Sequence, residues 1–145
     1  MKKILITGSL GLLGSACVDL FKEKGWEVVG IDNNARSQNL GTPEKLLTDT
    51  LPIDFTIATD VFKLFQEHQF DAIIHAGAQA SHDWSNDHVI QDFMTNAFGT
   101  VLLLEATRAY CPEATFIYIS TDKVYGENMG KPHKPYKENL GLDFQ

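Results

Sequence analysis

The chain has 145 residues, 43% of them hydrophobic and 21% charged, which suits one folded domain with one core. A net charge of -7, from 12 basic against 19 acidic residues, excludes a general nucleic-acid backbone binder, whose affinity needs clustered Lys and Arg. No run is long and apolar enough to span a bilayer, and Cys17 and Cys111 form no Cys-x-x-Cys unit, so no membrane span, bound metal or disulfide framework is expected and a cytoplasmic location is.

The opening stretch MKKILITGSLGLLGSAC has two readings. As an export signal it needs about 7–15 uninterrupted apolar residues. Thr7, Gly8, Ser9 and Gly11 interrupt it, and Gly14 stands where a lipid-attachment box wants Leu. The helical face Leu13, Ala16, Cys17 also continues through Val18, Leu20 and Phe21. The second reading uses every residue. Ile4-Leu5-Ile6 is a central strand buried on both faces. Gly8, Gly11 and Gly14 then form Gly-x-x-Gly-x-x-Gly, and a helix opens near Leu12 and stops at Gly25. In a phosphate cradle Gly8 makes the tight turn, Gly11 lets the backbone approach a pyrophosphate, and Gly14 lets helix and strand pack.

Glu27 to Ile31 reads as the second strand, with Asp32 at its end. An acidic residue there accepts from adenosine ribose hydroxyls and repels a 2′-phosphate, which favours NAD over NADP. A helix cap or turn is the alternative for Asp32, and Arg36 offers a phosphate partner that complicates the preference. The third strand falls within Leu46 to Ile53, followed by Asp54 and a helix from Val61 to His68. Ala72 to His75 is the fourth strand, leading into Ala76-Gly77-Ala78. His75 at a strand end reads as a packed, backbone-bonded residue. His82, Asp83, Asp87 and His88 fit no metal spacing and read as a polar loop entering a helix cap. Trp84 suits a lid or the core equally. One long helix is expected from Asp87 to Tyr110, with Met94, Ala97/Phe98, Val101/Leu102 and Ala106 at helical spacing and Pro112 ending it. Thr115 to Ile119 is the fifth strand and delivers Ser120-Thr121.

Alternating strands and helices imply an α/β fold, a Rossmann-like doubly wound parallel sheet of about five strands. Ligands of such sheets bind beyond the carboxyl ends of the strands. Gly8, Asp32, Asp54, Gly77 and Thr121 each follow a strand, so one rim collects them. Residues 1–126 form the expected dinucleotide-binding domain, and residues 127–145 read as a loop-like tail.

These segments resemble the extended short-chain dehydrogenase/reductase family, the NAD-dependent nucleotide-sugar epimerases and dehydratases. The likeness runs over nearly the whole chain. It implies that Gly8, Gly11, Leu12, Leu13 and Gly14 hold the cofactor diphosphate, Asp32-Asn33 the ribose, and Asp54 with Phe55 the adenine. It places Ala76, Gly77, Ala78 and Gln79 along the nicotinamide side, and Asn96 of the central helix among the cofactor-binding residues. Thr121, with Ser120 next, is implied as the catalytic hydroxyl that orients a sugar hydroxyl. Gln79 to Trp84 and Thr121 to Gly126 look like the CDP-paratose 2-epimerase branch, although that branch usually has Asn where this chain has Asp122. The dehydratase branch carries Asp followed by Glu, and Lys123 replaces that Glu.

The family's base is a Tyr assisted by a Lys four residues later. No Tyr here has that partner: Tyr110, Tyr118, Tyr125 and Tyr136 are followed by Ala114, Asp122, Met129 and Leu140. The resemblance therefore implies the cofactor half of an enzyme, with the later part of the fold and the sugar-binding lobe missing. A non-catalytic NAD-binding module stays open beside it. An uncovered fifth strand invites pairing with a second copy, as a homodimer, or with a separate C-terminal half.

Overall fold

A computed structural model describes residues 1–35 and 49–121. Its strands are β1 (Lys3–Thr7), β2 (Glu27–Ile31), β3 (Thr50–Leu51), β4 (Ala72–His75) and β5 (Thr115–Tyr118). Its helices are α1 (Leu12–Glu23), α2 (Ala58–Glu67), α3 (His82–Asp87), α4 (Val89–Phe93) and α5 (Gly99–Tyr110), with a π-turn over Met94–Phe98 between the last two. The strands form one sheet in the order β3-β2-β1-β4-β5, and every pairing is parallel. Arg36, residues 46–48 of the third-strand window and everything from Asp122 onward lie outside the described residues.

Successive strand residues point to opposite faces, and the sequence loads both. Leu5, Ile31 and Ile73 turn to one side and join Val61, Leu64 and Phe65 of α2 and Leu103 and Ala106 of α5. Ile4, Ile6, Ala72 and Ile74 turn to the other and meet Val18 of α1, with Phe21 and Trp26 at the margin. That two-sided burial explains why β1 and β4 read as continuous apolar runs. Each fully buried Ile or Leu contributes about 1.5–3 kcal/mol of transfer free energy, so β1 anchors both layers. At the end of α1, Gly25 takes φ +75 and donates to the Lys22 carbonyl, a left-handed stop that suits glycine.

The expected single helix from Asp87 to Tyr110 is not continuous. His88, at φ -132 and ψ 48, separates α3 from α4. The wider π-turn then interrupts α4 and α5, closed by the Gly99 N–H donating to the Met94 carbonyl. The buried face of α5 is Gly99, Leu102, Leu103, Ala106 and Thr107. Val101 and Leu104 are exposed, as are Ile90 and Phe93. The hydrophobic spacing was real, but the π-turn re-phases which residues meet the sheet. Among the described residues β5 pairs only with β4, and Ile117, Tyr118 and Ile119 are exposed. No helix among them is long and apolar enough to cross a membrane.

Candidate functional site

All five strands end at the same rim, because all run parallel. The first piece of that rim is the turn from Gly8 to Gly11. Gly8 takes φ +64, and a Cβ there would stand 2.6 Å from Gly77 Cα, so the loops after β1 and β4 touch through backbone alone. The Gly11 N–H donates to the Gly8 carbonyl at 2.9 Å. Buried Ser9 ties the turn sideways: its N–H donates to the Ile31 carbonyl, and its Oγ meets Thr50 Oγ1 at 3.1 Å. Helix α1 then starts at Gly11 with no side-chain cap and no acidic residue in its first turn. The helical ladder opens with the Ser15 N–H donating to the Gly11 carbonyl at 2.9 Å. The amides of Leu12, Leu13 and Gly14 thus precede the ladder, at the positive end of the helix dipole. Leu12 and Leu13 are exposed there, and Gly14 is buried against the Gly8 carbonyl. Backbone of this shape suits an anion, and a diphosphate fits it.

The second piece is acidic. One Asp32 oxygen accepts from Leu10 N–H at 3.2 Å and the other from Asn34 N–H at 2.9 Å. Asp32 is therefore fixed beside the glycine turn, and each oxygen keeps a lone pair for another donor. Asn34, in the left-handed region at φ 59, completes that turn. Asn33 Nδ2 reaches across to donate to Asp54 at 3.0 Å. Burial pushes the Asp54 carboxyl up, but bonds from Asn33 and from the Thr56 amide and hydroxyl outweigh it and hold its pKa below the usual value. Asp54 is thus an ionised acceptor joining two strand ends.

The third piece lies beyond β4. His75 is 2% exposed; its Nδ1 lies 2.7 Å from Thr7 Oγ1 and its Nε2 3.0 Å from Thr100 Oγ1. The expectation of a packed histidine was right, but its partners are two threonine hydroxyls, not backbone. Asn96 Oδ1 accepts from Gln79 N–H at 2.9 Å, and Asn96 Nδ2 donates to the Gln79 carbonyl and to Asp92. The amide of Asn96 holds the loop of Ala76, Gly77, Ala78 and Gln79 in place. Phe55 turns its ring inward from the rim. Its ring is buried, lying where a Cβ on Gly77 would come to 2.5 Å and one on Gly99 to 2.6 Å, and it stacks edge-on against His75. Two glycines open a slot and the ring fills it, so the side chain of Phe55 faces the core.

Ser120 and Thr121 follow β5 on the same rim and are exposed. Trp84 is at the surface, stacked on His88 with ring centroids 4.1 Å apart, so it belongs to neither core cluster. Sequence reading missed Thr7, Ser9, Thr100 and the Ser85–Asp92 bond of 2.6 Å. A usable signal existed for Thr100: a hydroxyl four residues after Asn96 on an otherwise apolar helix face can bond back to that carbonyl, and it does so at 2.8 Å.

Burial lowers the His75 pKa from 6.5 to about 4. The unfolded chain therefore takes up this proton at a higher pH than the folded chain. Stability from this group is complete above pH 6.5 and is lost as the pH falls from 6.5 towards 4. The full interval is worth about 3 kcal/mol. Asp54 acts in a lower window, its contribution fading only below its ordinary 3.8. Urea midpoints should decline steadily from pH 6.5 to 4, and His75→Gln should flatten that decline. An equal slope in wild type and variant would refute the assignment.

The model of the NAD dependent epimerase/dehydratase family matches residues 4–142. CDP-paratose 2-epimerase of Salmonella typhi is 34% identical over 129 residues, covering 86% of this chain and 38% of that protein. dTDP-glucose 4,6-dehydratase of Neisseria meningitidis serogroup B is 31% identical, covering 90% and 40%. The solved Thermus thermophilus UDP-glucose 4-epimerase, in complex with NAD, superposes with a TM-score of 0.65 at 31% identity, covering 74% of this chain and 34% of that one. The chain thus spans about two-fifths of the length of these curated relatives. With that family model matching residues 4–142, the chain belongs to the NAD dependent epimerase/dehydratase family.

Proposed function

We propose that these residues form the NAD(H)-binding part of a nucleotide-sugar epimerase. One observation carries the reading: the uncapped amides of Leu12, Leu13 and Gly14 open beside the fixed Asp32 carboxylate. The amides suit the diphosphate, and the carboxylate suits the two ribose hydroxyls while repelling a 2′-phosphate. Asp54 and Asn33 would border the adenine, and Gly77 to Gln79 the nicotinamide ribose. The NAD complex of the Thermus thermophilus relative supports this reading. Bound NAD supplies a hydride acceptor for a sugar carbon bearing a hydroxyl. Thr121, with Ser120 beside it, would orient that hydroxyl. Lys123 in place of the dehydratase Glu favours epimerisation over water elimination.

The Tyr-x-x-x-Lys pair is absent from the 145 residues, so the chain alone should bind cofactor without converting sugar. Exposed Ile117, Tyr118 and Ile119 at the sheet edge support self-association. Calorimetry tests the central claim. NAD should bind at least tenfold more tightly than NADP. Gly11→Val should abolish binding, since even a Cβ at Gly11 meets the Gly8 carbonyl at 3.2 Å and crowds the turn, and circular dichroism separates that loss from unfolding. A folded wild-type chain without affinity for NAD would overturn the reading. The same sample should show no turnover of nucleotide sugars, and sedimentation should show species larger than a monomer; turnover or a strict monomer would contradict those two parts.

A further inference from the structure

The hydrogen bonds around His75 form one continuous chain whose direction the structure fixes. The Gly77 N–H donates to Thr7 Oγ1 at 3.1 Å. At the far end, the Thr100 hydroxyl donates to the Asn96 carbonyl at 2.8 Å. That hydroxyl has one hydrogen, so towards His75 it can only accept. The Nε2 atom facing it, 3.0 Å away, must carry a hydrogen. In a neutral ring Nδ1 is then an acceptor, and the Thr7 hydroxyl donates to it across 2.7 Å. Every donor has one acceptor, from the loop after β4, through β1 and the ring, to the π-turn.

We propose that His75 is a positioning residue, locked as the neutral Nε2–H tautomer, that braces the glycine cradle against the π-turn. Both anchors hold the rim. Thr7 carries Gly77, against which Gly8 is pressed, and Asn96 clamps Gln79 on both its N–H and its carbonyl. A proton on Nδ1 would leave the Thr7 hydroxyl between two donors, with its own hydrogen unplaced. The rings packed on His75 are Phe55, Phe116 and Tyr118, from the loop before α2 and from β5. Among the described residues set against it from these elements, β1 and α5, only the Tyr118 phenol can ionise, and none of them supplies a carboxylate to hold an imidazolium.

The tautomer follows from the hydrogen bonds alone, whereas the effect on NAD rests on the function proposed above. Long-range proton–nitrogen NMR on the labelled chain reads the first. One histidine should show the Nε2–H pattern, unchanged from pH 8 to 5.5, and His75→Gln should remove it. An Nδ1–H pattern or an imidazolium at that site would overturn the proposal. Thr100→Val should leave Nε2–H without its acceptor, spread the ring over both tautomers and weaken NAD binding about tenfold, the cost of one buried hydrogen bond. Thr100→Ser should restore both the signal and the affinity. Unchanged tautomer and NAD affinity in Thr100→Val would also sink it. If Thr100→Val does not fold, the wild-type spectrum still decides. If wild type binds no NAD but shows the locked tautomer, the function is wrong and the brace stands.

Discussion

Replacing Gly14 with alanine should cost about 3 kcal/mol of stability and remove NAD binding with it. Gly14 is the third glycine of the turn, inside α1. Two effects oppose each other. Alanine is the better helix former, by roughly 1 kcal/mol at an interior position. Against that, the new Cβ would collide with the Gly8 carbonyl oxygen and lie 2.7 Å from its carbon and 3.0 Å from Ser9 Cα. These are backbone atoms, so no rotamer change relieves the overlap. Gly8 cannot retreat, because it lies against Gly77 and its neighbour Ser9 is bonded to Ile31 and Thr50. The overlap wins, and α1 must tilt or the cradle must open. Thermal unfolding should drop by roughly 10 °C. Gly25→Ala is the contrast: nothing lies near its Cβ, and only the cost of a positive φ remains, about 1–2 kcal/mol. Equal losses at the two positions would show that propensity, not the Gly8–Gly14 approach, explains this glycine.

The outline of this site was legible because its parts are local. A strand followed by Gly-x-x-Gly-x-x-Gly needs only a short window, and so does Asp32 at the end of Glu27–Ile31. Parallel pairing then brings residues far apart in sequence to one rim without further information. What the sequence hid depends on long-range packing. Thr7 and His75 meet across 68 positions, and Ser9 and Thr50 across 41. Nothing in a single window marks these hydroxyls as partners. The break at His88 and the π-turn were hidden for another reason. Helical spacing persists through both, and only the bond from Gly99 to the Met94 carbonyl reveals the extra residue in the turn. The inward turn of the Phe55 ring was hidden too, because adjacent residues on an irregular loop share no periodicity and its neighbour Asp54 faces the rim.

Phe55 and Gly99 should prove energetically coupled. Phe55→Ala empties a slot bounded by Gly77, Gly99 and His75 and should cost about 3–5 kcal/mol, the range for a buried aromatic ring. Gly99→Ala attacks the same slot from outside. Its Cβ would sit 2.6 Å from Cδ2 and Cε2 of the ring, at about 1–3 kcal/mol for overpacking. A smaller side chain at position 55 leaves room for that methyl, so Phe55→Leu with Gly99→Ala should be less damaging than the sum of the two alone. Chemical denaturation of the single and double variants gives the coupling directly, expected at 1 kcal/mol or more in magnitude, about the size for residues in contact. The consequence reaches the rim. Phe55 presses on the start of α5, which carries Thr100, and on Gly77, which carries the approach to Gly8. A ring that wedges both loops apart sets the width of the cradle, so Phe55→Leu should weaken NAD binding even in conditions where the chain remains folded. Additive stabilities, or an unchanged affinity, would mean the ring only fills space.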